Sequence, residues 1–176
     1  MISRTRLTAV AMATIALQPI AAQAQQPCVT EDEVSAMAIY SVPALVEALR
    51  SRCGPELSTG GFLARNGDAF AARYRGLQSS VWPRAKSGLL KYAAAKAKGQ
   101  NIAMFANLPD TTVRPLLDAL ILQEASGRIK TKYCGGIERV VQATSGIDPQ
   151  AGGALIGSLI GLVAPEDQPI CPARNP

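Results

Sequence analysis

Four cysteines, a scatter of carboxylates and a run of bases are the groups in this 176-residue chain that could do chemistry. There is no histidine. That removes Ser-His-Asp and Cys-His nucleophile activation, histidine general bases and histidine metal ligands. Carboxylate, lysine and tyrosine chemistry is what remains. Glycosidase chemistry would need two carboxylates facing each other across the scissile bond. Glu47, Glu124 and Glu138 are the candidates, because they lie among apolar residues. Glu31, Asp32 and Glu33 are better read as helix-start residues.

The cysteines Cys28, Cys53, Cys134 and Cys171 are never at the short spacing of metal ligands, so no metal and no other cofactor is expected. An even count points to two disulfides. The expected pairs are Cys28–Cys53, closing a helical hairpin, and Cys134–Cys171, tying down a returning tail. In Tyr133-Cys134-Gly135-Gly136 the thiol is accordingly read as structural and not as reactive.

Two surfaces stand out. From Ala69 to Pro109 there is no acid but there are seven bases. Arg73, Arg75, Arg84, Lys91 and Lys98 form the candidate anion-binding set, the last three recurring every seven residues. A basic surface interleaved with Phe70, Tyr74, Trp82 and Tyr92 could hold an anionic envelope component or lipid headgroups. The plainer reading is a solvated helix face with its aromatics in the core. Nucleic acid is not expected. Gly153, Gly157 and Gly161 recur every four residues and make a smooth strip for close helix packing, within the core or in a homo-oligomer.

The elements that must position these groups are almost all helical. Thr30-Glu31-Asp32-Glu33 is a capping box. A second short helix is expected from Pro43 to Cys53, followed by a loop over 54–67. Helices are expected over 68–77 and 80–98, the latter with Pro83 in its first turn, and a short one within 100–108. Thr112 can cap the next, whose Val113, Leu116, Leu117, Leu120 and Ile121 follow the period of a core-facing stripe. Helices over 131–144 and from Asp148 to Val163 complete an all-α, compact bundle of six or seven short helices, stapled by disulfides.

At the start of the chain, Arg4 and Arg6 precede an apolar run from Leu7 to Leu17, and Ala22-Gln23-Ala24 follows. This is the order of a secretory signal. The run is about half the roughly 20 residues a bilayer span needs. Residues 1–24 are therefore expected to be a cleavable signal peptide and 25–176 a single helical domain, periplasmic or secreted. The functional expectation is a non-enzymatic accessory or binding protein of the cell envelope. The alternatives are a peptidoglycan-degrading hydrolase using a glutamate and a peripheral membrane-surface protein.

Overall fold

A computed structural model describes residues 28–97, 102–165 and 168–172; the expected signal peptide and Lys98 lie outside them. The capping box forms as expected. The Thr30 side chain accepts from the Glu33 N–H at 3.3 Å, and Glu33 Oε2 accepts from the Thr30 N–H at 2.8 Å. From there α1 runs unbroken over Glu31–Cys53. After a 3-10 turn at Gly54–Glu56, α2 covers Phe62–Lys96.

Each of these two helices replaces a pair of shorter ones expected from the prolines, and α2 also absorbs the end of the expected loop. Pro43 and Pro83 both sit inside their helices. An interior proline costs about 3 kcal/mol. The apolar face continues on both sides of each, with Ile39 and Tyr40 before Pro43 and Val46 and Leu49 after it. Val81, Trp82 and Ala85 do the same around Pro83. Burying one large apolar side chain contributes roughly 1.5–3 kcal/mol, so continuity wins.

The two long helices pack antiparallel. Lys91 meets Glu33, Gln78 meets Tyr40, and Asp68 meets Arg50, so positions descend on one helix as they rise on the other. The rings of Tyr40 and Trp82 meet between them, tilted by 40° with centroids 5.1 Å apart. The remaining elements are α3 (Ala103–Ala106), α4 (Asp110–Arg128), a 3-10 turn at Thr131–Tyr133, α5 (Cys134–Thr144) and α6 (Pro149–Val163). The chain is thus all-α among its described residues, apart from one isolated bridge between Val29 and Ile170. α4 lies across α1, where the Tyr40 hydroxyl donates to Asp118 at 2.8 Å and Val113 is buried. Leu117 and Ile121 are half-buried, while Leu116 and Leu120 of the same expected stripe are exposed.

All four cysteines are bridged, but in the other pairing: Cys28–Cys171 and Cys53–Cys134, with Cα–Cα distances of 5.1 and 5.6 Å. The reason lies in α1. A helix of 23 residues is about 34 Å long, which sets Cys28 and Cys53 at opposite ends, far beyond disulfide reach. Cys28 instead joins the tail, where Val29 N–H donates to Pro169 O at 2.7 Å and Cys171 N–H to Val29 O at 2.9 Å. Cys53 joins the first residue of α5.

Candidate ligand-binding cavity

The basic segment is divided by the fold. Lys91 turns inward and donates to both oxygens of Glu33, at 2.7 and 2.8 Å, and Ser87 adds a third bond at 2.6 Å. Glu33 is only 7% exposed. Burial pushes its carboxyl up, but the bonds from Lys91, Ser87 and Thr30 outweigh it and hold the group below the usual glutamate value. Arg73 donates to the carbonyls of Ser145 and Ile147, just beyond α5. Lys86 bonds Asp110 at 3.0 Å. Arg75 and Arg84 remain exposed on α2.

The glycine strip faces α1. A Cβ at Gly153 would lie 2.7 Å from Ile39 Cδ1, and one at Gly157 would lie 2.7 Å from the Glu31 carbonyl oxygen. Gly161 follows one turn on, half-buried. The strip is thus used for close approach within the chain.

The three glutamates considered for catalysis are not gathered into one site. Glu47 is exposed on α1. Glu124 pairs with Arg128 one turn along α4. Glu138 accepts from the Leu63 N–H at 2.9 Å and so caps the start of α2 from the side. Among the described residues no group of three or more Cys, Asp or Glu could hold a metal, and no helix is long and apolar enough to cross a membrane.

The feature that sequence reasoning missed is a cavity of about 630 Å³ bounded by α1, the end of α4, α5 and α6, with Phe70 and Tyr74 of α2 at its floor. α1 contributes Ala38, Val42 and Leu45, α5 contributes Ile137, Val140 and Val141, and α6 contributes Leu155 and Ile156. No aspartate or glutamate lines it among the described residues. Its size falls in the range of small-molecule sites, which are also mostly apolar with a few polar groups.

α5 packs on the core through Ile137 and Val141 and is tied near both ends, while the cavity opens beside those contacts. The Cys53–Cys134 bridge holds its start, Glu138 holds its first turn to α2, and Arg73 holds the segment after it. These ties fix α5 while Val140 on it stays 63% exposed. The available signal was the sharp amphipathy of residues 137–147: Ile137, Val140, Val141 and Ile147 recur on one side, a wider apolar face than the expected disulfide and tail account for.

No family model, no curated protein and no solved structure matches the chain. The two disulfides suggest an oxidising compartment, where such bonds form and persist.

Proposed function

We propose that this chain is an exported, non-enzymatic binding protein of the cell envelope that holds an apolar small molecule in the cavity beneath α5. One observation carries the reading. Leu45, Val140, Ile147, Leu155 and Ile156 all line the cavity and all are exposed. A contiguous apolar surface left open to water marks a binding site in a folded protein. The basic segment is a weaker carrier, because Arg73 and Lys91 spend their charge on internal partners. The export half of the reading rests on the signal-like order of residues 1–24 and on the disulfides, and periplasmic or secreted protein beginning at Gln25 would bear it out.

The binding half is tested with N-phenyl-1-naphthylamine, an uncharged probe whose emission rises in apolar surroundings. Saturable enhancement is expected with the native protein. Val42→Trp fills the cavity from α1 at a half-buried position and should abolish it. No saturable signal, or an equal signal in the Val42→Trp protein, would overturn the proposal.

A further inference from the structure

We infer that the molecule held in the cavity is a single-chain anionic amphiphile, its acyl chain under α5 and its carboxylate or phosphate head at Arg128 and Lys130. This rests on the binding reading above and adds the class of ligand. The lining is polarised along the chain. Its charged groups, Arg128 and Lys130, and its exposed phenol, Tyr133, belong to a six-residue stretch that starts at the last residue of α4. The other hydroxyl groups of the lining do not face a ligand freely: Thr144 donates to the carbonyls of Val140 and Val141, and Tyr74 is buried. Elsewhere the walls are apolar, aliphatic but for Phe70 and the ring of Tyr74. A ligand matched to these walls has one polar end and one apolar end.

The sign of the polar end follows from the charges at that stretch. Both charged lining residues are cations, and no acid lines the cavity among the described residues. Two opposing charges act on Arg128. Glu124 pairs with it, and the carbonyl end of α4 carries partial negative charge that a last-turn arginine offsets. Lys130 stands beyond the helix end, exposed, and takes part in none of the ion pairs among the described residues. Lys130 is therefore the cation with charge to spare, and Tyr133, also exposed, can donate beside it. A cationic head would meet Lys130 with repulsion, and a neutral head would leave its charge unused.

Displacement of bound N-phenyl-1-naphthylamine at low salt separates the outcomes. Tetradecanoate and tetradecyl phosphate are expected to displace the probe at about tenfold lower concentration than tetradecanol, a difference of about 1.4 kcal/mol. Tetradecyltrimethylammonium should be the weakest competitor. Whichever anion binds more tightly names the head. Lys130→Glu should erase the tenfold preference, and Arg128→Gln should reduce it less. Salt near 1 M should shrink the preference as the Debye length falls to about 3 Å. Equal displacement by acid and alcohol, or a preference indifferent to Lys130→Glu, overturns the head-group assignment and leaves the apolar binding reading standing. Absence of probe binding overturns both.

Discussion

Along α1 one side meets α2 and the other meets the space beneath α5, and the two contacts are built on different principles. Against α2 the fit is close. Ala71 and Ala85 of α2 have no exposed surface, and Leu63 of α2 and Tyr40 of α1 almost none. Small residues let the backbones approach, and large ones fill the gaps between turns. Beneath α5 the helices are held by a disulfide, a carboxylate cap and an arginine clamp, with only Ile137 and Val141 of α5 packed on the core. The same α1 thus supports a dense core on one side and borders the cavity on the other.

The sharpest way to break this difference is to cut the tie at the start of α5. Replacing both partners, Cys53→Ser with Cys134→Ser, should cost about 2–5 kcal/mol of stability, the usual loss for a native disulfide. It should also abolish probe binding under conditions where α1 and α2 stay folded. Thermal unfolding followed by far-ultraviolet circular dichroism, with probe fluorescence on the same sample, checks both. An unchanged melting temperature would show that the bridge adds nothing to the fold. Binding that survives in the doubly substituted protein would show that α5 is held by packing after all.

How much of this was legible beforehand divides along the same line. The helical class, the capping box at Thr30, the Asp148 start of α6 and the inward glycine strip follow from short-range rules, because each depends on residues within a few positions. The fused helices were also written in the sequence. Leu63, Phe70, Leu77 and Ala85 stay in helical phase across Gly67 and Ser80, and that phase outweighs the breaks that Gly67, Ser80 and Pro83 suggest. The disulfide pairing depended on those helices: once α1 is one rod, Cys28–Cys53 is excluded by length. The cavity was not legible, since it arises from where α5 is tied, and Arg73 to Ile147 and Glu138 to Leu63 are contacts more than 70 residues apart in sequence.

The seam between α6 and α1 is close-packed like the core yet borders the cavity, so it sharpens the comparison. Gly157→Leu would drive a side chain into the Glu31 carbonyl and the Ser35 side chain. Overpacking of this kind costs about 1–3 kcal/mol, and α6 should swing away from α1, widening the cavity and weakening probe binding. Gly152 lies on the neighbouring face, where a Cβ would meet nothing closer than 3.7 Å. Gly152→Ala should therefore be tolerated and serves as the control. Equal stability of the Gly157→Leu and native proteins in urea would show that the glycine strip is not a packing surface.

The smallest expected effect sits at the polar centre of the dense side. Glu33 is held ionised by Lys91, Ser87 and Thr30, with its carboxyl below the usual glutamate value. A group with a depressed folded-state value contributes stability that is fully present above its unfolded value. That contribution is lost as the pH falls through the folded value, because the unfolded chain then binds its proton first. The native protein should accordingly weaken as the pH drops below about 4.5, near the ordinary glutamate value. Glu33→Gln removes the charge but keeps the oxygen that accepts from Ser87. At pH 7 it should cost about 1.5 kcal/mol, the lower end for hydrogen bonds to charged groups. Below the folded value of Glu33 the native and variant proteins should converge, since the native carboxyl is then neutral as well. Urea unfolding of both proteins between pH 7 and pH 3 measures the gap directly. A gap that stays constant across that range would mean that the charge on Glu33 contributes nothing, and that the α1–α2 interface is held by its apolar packing alone.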